Sequence, residues 1–236
     1  MIYRLSLFLL LYLSACASLA PTPTLVEVTS MPPIRYLALG DSYTIGESVD
    51  VSERWPHQLV ERIKLSPQFE GGGRGVEVSI IARTGWTTQE LWEGIQDSEL
   101  EPPYDLVSLL IGVNNQYRGY DINEYREQFV FLLNKSIEYA GGDPNRVIVL
   151  SIPDWGVTPF AADRDREQIA KDIDAFNAVN RTETEKLRAH YVDITPGSRE
   201  AVDDPLLIAS DGLHPSGRMY TEWAKLALPI ALDVLK

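Results

Sequence analysis

Ser42 stands in the stretch Ile34–Glu47, IRYLALGDSYTIGE, where a run suited to a buried strand stops at Gly-Asp-Ser. On its own the tripeptide is turn chemistry, because Gly, Asp and Ser each favour turns for conformational reasons. At a strand's carboxyl end the serine is also a candidate nucleophile. A serine hydroxyl is weakly nucleophilic and needs a base in hydrogen-bond reach, itself held by a third group. The chain has three histidines. His57 follows Trp55-Pro56 at a helix start and reads as a half-exposed helix residue. His190 opens a strand beside Tyr191 and reads as structural. His214 lies in Asp-Gly-Leu-His-Pro-Ser, a loop ahead of a helix that Ser216 caps, and loops are where functional residues concentrate. Asp211, three residues earlier, can fold back on a tight turn to bind the imidazole and set its tautomer. Asp211-Gly212 could be a turn and no more, but the catalytic reading of the pair supplies what Ser42 lacks.

Acyl transfer through serine also needs donors for the negative oxygen of a tetrahedral intermediate. Asn114 offers a side-chain amide. Gly85 offers a backbone N–H and, lacking Cβ, lets a substrate approach closely. The Ser42 backbone N–H is the natural third donor. Taken singly, Gly85 and Asn114 would be loop residues; their places after successive strands argue for the shared role.

The elements that must position these groups follow from the apolar pattern. Strands are expected at Ile34–Leu39, Val76–Ala82, Leu106–Ile111 and Arg146–Ile152, with a weaker one at His190–Ile194. Helical patterns lie at Pro56–Leu65, Thr88–Ile95, Ile122–Ala140 and Arg166–Arg188, and a last one runs from about Gly217 to Leu235. Near-continuous Val/Ile/Leu strands alternating with amphipathic helices imply a parallel sheet covered on both faces, an α/β layer sandwich with right-handed crossovers. Such sheets bind ligands at the strands' carboxyl ends. There the chain carries Gly40-Asp41-Ser42, Arg83-Thr84-Gly85-Trp86, Gly112-Val113-Asn114-Asn115 and, beyond a loop, Asp211–His214. The Gly-rich Gly71–Gly75, with no matching lysine or helix start, is a poor phosphate cradle.

Taken together these blocks resemble the SGNH or GDSL hydrolases. Ser42 in Gly-Asp-Ser matches the family's first block, Gly85 the second and Asn114 in Gly-Val-Asn-Asn the third. Asp211 and His214 match the last, and the likeness covers almost all of 34–236 in the family's order and spacing. The resemblance implies a flavodoxin-like three-layer α/β/α sandwich on a mainly parallel five-stranded sheet. It also implies hydrolysis of esters or thioesters with no metal or cofactor. It assigns Ser42 as nucleophile, His214 as base and Asp211 as orienting acid. The same resemblance makes Ser42, Gly85 and Asn114 the expected oxyanion hole. Asn115 departs from the family's usual Asp; it can still hydrogen-bond nearby backbone but brings no charge. A non-catalytic binding protein that keeps the fold is disfavoured because the other catalytic groups remain.

The 236 residues, 44% hydrophobic and 23% charged, suit one soluble domain with a sizeable core. A net charge of −13 argues against a nucleic-acid partner and against electrostatic adhesion to anionic lipid. Residues 1–15 have the layout of a signal peptide: Arg4, the apolar Leu5–Leu13, then small residues. Leu13-Ser14-Ala15-Cys16 resembles the lipobox of bacterial lipoproteins, and Cys16, the sole cysteine, is the expected lipid site. Residues 16–33 then read as a Pro/Thr-rich tether and 34–236 as the hydrolase domain. The expected location is extracytoplasmic, anchored through the N-terminal lipid only, or alternatively secreted. Tyr43, Trp86, Tyr117, Trp155 and Phe160 fall near the strand ends; Trp86, Tyr117 and Trp155 are the substrate-binding candidates, although aromatics more often pack loops. Arg118 is expected to bind a carboxylate or stay solvated. The substrate expectation is a small-molecule or glycan ester carrying acetyl or short acyl groups. A lysophospholipase or thioesterase is the alternative.

Overall fold

The Val-, Ile- and Leu-rich runs pair as expected. The computed structural model describes residues 32–67, 69 and 74–236, and in it five strands run parallel: β1 (Ile34–Gly40), β2 (Val76–Ala82), β3 (Leu106–Leu110), β4 (Val147–Leu150) and β5 (His190–Val192). Their order is β2-β1-β3-β4-β5, the flavodoxin-type order. Register places Leu39 beside Ile81 on one side and Leu109 on the other, so β1 and β3 end level. β3 and β4 are buried along their whole length, as strands covered on both faces must be. β2 alternates burial and exposure, as an edge strand does.

Eight helices accompany the strands among the described residues: α1 (Ser42–Ile45), α2 (Trp55–Leu65), α3 (Thr88–Gln96), α4 (Val113–Tyr117), α5 (Ile122–Tyr139), α6 (Arg166–Lys186), α7 (Thr195–Arg199) and α8 (Gly217–Val234). α2 packs on α8, while α3 packs on α5 and α5 on α6. Right-handed crossovers put these two groups on opposite faces of the sheet, which makes three layers. Tyr36, Trp55, Tyr125, Phe129, Tyr220 and Trp223 are the largest wholly buried side chains.

Three short helices were not legible as periodic patterns, because each is a turn or slightly more. α1 forms where Gly-Asp-Ser was read as a turn. Asp41 accepts the Tyr43 N–H at 3.0 Å as its N-cap, and Gly46 closes it with a φ of +70°. α4 begins after Gly112, whose φ of +126° and contact with the Tyr125 ring require glycine. The third strand ends one residue earlier than expected and the fifth two residues earlier. The expected signal peptide, Cys16 and most of the tether lie outside the described residues, as do residues 71–73.

Candidate active site

The sheet order reverses at β1, the first strand, with β2 laid on one side and β3 on the other. Such a switch point leaves a crevice at the carboxyl ends, since the following connections diverge. Ser42 follows β1 and Asn114 follows β3, so both sit at the switch point. A cavity of about 170 Å³ opens there, lined by Ser42, Tyr43, Thr84, Gly85, Val113, Asn114, Tyr117, Trp155, Phe160, Leu213 and His214. The structure thus gathers Ser42, Gly85, Asn114 and His214 around one space, from segments up to 172 residues apart. His57 and His190 lie elsewhere, on α2 and β5.

Asp211 and His214 meet on one turn. His214 Nδ1 and Asp211 Oδ2 are 2.6 Å apart, and Asp211 Oδ1 accepts the N–H groups of Leu213 at 2.9 Å and His214 at 3.0 Å. Gly212 supplies the φ of +74° that lets the chain fold back. Partial burial alone would raise the Asp211 carboxyl, but the Ser48 hydroxyl, the His214 ring and the two backbone N–H groups outweigh it. The carboxyl is held well below its usual range. A carboxylate only accepts, so Nδ1 carries the proton and Nε2 is left as the basic nitrogen. The Tyr43 ring meets the imidazole edge-on at 5.7 Å and braces it from the Ser42 side. Ser42 and His214 are both largely buried. Among the described residues the Ser42 hydroxyl has no hydrogen-bond partner, the loosened arrangement common before a substrate binds.

The donor side is equally specific. Among the described residues the backbone N–H groups of Ser42 and Gly85 find no acceptor, although both residues line the cavity. Asn114 Nδ2 donates to the Trp86 carbonyl at 2.9 Å, which fixes the amide plane and leaves its second N–H available. Gly85 has a φ of +87°, closed to ordinary side chains. Asn115 is fully buried; its Oδ1 accepts the Thr88 N–H at 3.0 Å and its Nδ2 donates to Thr88 Oγ1 at 2.7 Å. It holds the strand-end loops together, as expected of the residue replacing the family's Asp.

One expectation needs correction, and a second is narrowed. Trp86 does not line the cavity: its ring packs against Gly94 on α3, whose missing Cβ makes room for it. Arg118 stays exposed, as one of its two expected readings has it, but it does not line the cavity and its guanidinium is engaged within the chain. It donates to the Gly85 carbonyl at 2.6 Å and pairs with Glu90 at 3.2 Å, so it supports the loop that carries Gly85. Tyr117 and Trp155 do line the cavity. They stack edge-on at 5.3 Å, and Phe160 closes the group at 6.1 Å from Trp155. Trp155 is fixed through Nε1 to Gln116 Oε1 at 2.8 Å, while Tyr117 and Phe160 stay about half exposed at the mouth. Ser48, Thr84 and Gln116 were not singled out from sequence. Each acts through a partner distant in the chain, and no local pattern marks it.

The fold recurs in solved structures at low identity. An acetylxylan esterase from Geobacillus stearothermophilus is 18% identical with a TM-score of 0.64, covering 84% of this chain and 94% of its own. The lipase/acylhydrolase from Enterococcus faecalis is 20% identical with a TM-score of 0.59, covering 86% and 97%. TesA is 16% identical with a TM-score of 0.62, covering 85% and 99%. No curated protein matches this chain. Residues 38–221 match the GDSL-like Lipase/Acylhydrolase family. With that match spanning most of the sequence and every block of the site in place, the chain belongs to the GDSL-like lipase/acylhydrolase family of carboxylic ester hydrolases.

Proposed function

We propose that this protein is a serine esterase that removes acetyl or other short acyl groups through an acyl-enzyme, with an envelope or extracellular glycan as the alcohol. Ser42 Oγ attacks the ester carbonyl as its proton passes to His214 Nε2, and Asp211 holds the imidazole through Nδ1. The carbonyl oxygen becomes negative and is received by the N–H groups of Ser42 and Gly85 and by Asn114 Nδ2. Collapse breaks the bond to the alcohol oxygen, which takes the proton from His214. A water, deprotonated by the same nitrogen, then releases the acid from Ser42.

The observation that carries this reading is the convergence, on the cavity that holds Ser42, of an ordered Asp211–His214 pair and two backbone N–H groups with no acceptor among the described residues. The short acyl group is supported by size: the cavity is below the roughly 300–1,000 Å³ of sites that enclose drug-sized ligands. Apart from His214 its lining has no acidic or basic side chain, which suits a neutral ester. The aromatic rings at the mouth suit a sugar face. The lipobox-like Leu13–Cys16 supports an anchored, extracytoplasmic enzyme.

The test is hydrolysis of p-nitrophenyl esters by purified soluble protein. Ser42→Ala should abolish turnover with melting temperature unchanged, and adding His214→Ala should cost little more, because such residues act as a unit. Rates should fall from acetate to long-chain esters. Wild-type turnover by Ser42→Ala, free of contaminating esterase, would sink the mechanism; a preference for long chains would favour a lysophospholipase.

A further inference from the structure

The segment after α1 makes contacts that the mechanism above does not use. Ser48 has a φ of +64°, a left-handed conformation that is strained for a non-glycine residue. Its exposed hydroxyl donates to Asp211 Oδ2 at 2.7 Å, the same oxygen that faces His214 Nδ1. The other donors to this carboxylate come from Leu213 and His214, on its own turn. They order the turn internally but do not set its distance from the nucleophile. Ser48 lies 163 residues away in sequence and belongs to the nucleophile's own segment. The neighbouring Glu47 keeps its N–H on the Ser42 carbonyl at 3.0 Å, and its carboxylate accepts the hydroxyl of Thr84, the residue before Gly85. Two consecutive residues therefore connect Ser42 to the acid–base turn and to the loop carrying an oxyanion donor.

We propose that Glu47 and Ser48 are positioning residues, a two-armed clamp that holds the Asp211–His214 turn and the Thr84–Gly85 loop in register with Ser42. The inference rests on the reading of Ser42, His214 and Asp211 as the reacting unit. Its physical basis is that misplacing catalytic groups by about 1 Å can cost about 10²-fold in rate. The positive φ at Ser48 fits this role, because backbone strain is retained where surrounding contacts over-determine it.

The experiment measures kcat, KM and melting temperature with p-nitrophenyl acetate. Ser48→Gly deletes the hydroxyl while glycine accepts the φ of +64°, so relieved strain offsets the lost bond and melting temperature should change little. Its kcat should fall by about tenfold, the worth of one hydrogen bond to a charged group, with KM unchanged. Ser48→Asn tolerates positive φ and brings an amide donor, and should recover most of that loss. In an Asp211→Ala background Ser48→Gly should have no further effect on the residual rate, a coupling that a merely structural residue would not show. Glu47→Ala should likewise lower kcat at constant KM, and Glu47→Gln, which keeps an acceptor, should retain most of it. Wild-type kcat in Ser48→Gly or Glu47→Ala, or an undiminished Ser48→Gly loss without Asp211, would overturn the clamp. Turnover surviving Ser42→Ala is a separate outcome, which would overturn the site reading beneath it.

Discussion

Asn115 grips Thr88 twice: its Oδ1 accepts the Thr88 N–H at 3.0 Å and its Nδ2 donates to the Thr88 hydroxyl at 2.7 Å. That bond pair joins the α4 start to the α3 start, and leaves the neighbouring Asn114 to face the cavity. Asn114→Ala should therefore lower kcat by roughly 10²–10³ with little change in KM, the signature of a donor that matters most when the oxygen turns negative. Asn115→Ala should cost less activity and more stability. Asn115→Asp keeps the bond to the Thr88 N–H, but its second oxygen then needs the Thr88 hydroxyl as donor, and that hydroxyl now donates to Gln128 Oε1. It should be tolerated with a modest fall in melting temperature. Kinetics of the three variants on one soluble ester decide the matter: a larger kcat loss in Asn115→Ala than in Asn114→Ala would move the oxyanion donor by one residue.

Gly85→Ala should be costly although there is space for the methyl group. A Cβ would meet nothing nearer than Arg118 Nη2 at 3.9 Å, an ordinary contact. The φ of +87° is the obstacle, and forcing alanine into it costs about 1–2 kcal/mol. If the chain relaxes instead, the Gly85 N–H leaves its place and kcat drops. Unchanged melting temperature together with unchanged kcat would refute the assignment.

Asp41 makes a pH prediction. It is fully buried, Oδ1 caps α1, and Oδ2 has no partner among the described residues. Burial pushes its carboxyl from 3.8 up to about 7. In the unfolded chain the group ionises near pH 4; in the folded protein it keeps its proton until about pH 7. The contribution of Asp41 to stability is therefore full below about pH 4, falls as pH rises from 4 to 7, and is level above that. Asp41→Asn removes this dependence. The melting-temperature advantage of Asp41→Asn over wild type should grow between pH 4 and pH 7; a constant difference would contradict it.

Phe160 sits at the cavity mouth against Tyr117 and Trp155. If the acyl group lies among these rings, Phe160→Ala lengthens the slot. The ratio of kcat/KM for hexanoate over acetate should rise by about tenfold, a typical value for added methylene contacts. An unchanged ratio would place the acyl group elsewhere.

Cys16→Ala should block lipidation, while protein starting near Thr29 should keep full activity, because the groups assigned to the reaction all lie between Ser42 and His214. Labelling with a fatty-acid analogue in a bacterial host is the measurement. Absence of label on the wild-type chain would refute the anchor.

The strand–helix alternation and the blocks at the strand ends were legible in the sequence because parallel sheets impose them: strands buried on both faces must be apolar throughout, and function collects at their carboxyl ends. Ser42, Gly85, Asn114, Asp211 and His214 could be picked out because each stands just beyond an apolar run or inside a turn-forming loop. α1, α4 and α7 were not legible, because helices of four or five residues have no period to detect.

The partners that hold the site belong to the tertiary structure alone. Trp86 looked like a substrate platform, but the space left by Gly94 took its ring. Arg118 could have met a substrate carboxylate or stayed solvated; it stays exposed, but the Gly85 carbonyl and Glu90 hold its guanidinium. The Ser48–Asp211 bond spans 163 residues and leaves no periodic trace in either segment. Local sequence determines which elements form and what chemistry their ends carry, since propensity, turn geometry and apolar patterning act over a few residues. Which side chains then meet across the switch point is decided by packing and by the satisfaction of buried polar groups, and these act only once the sheet has brought distant segments together.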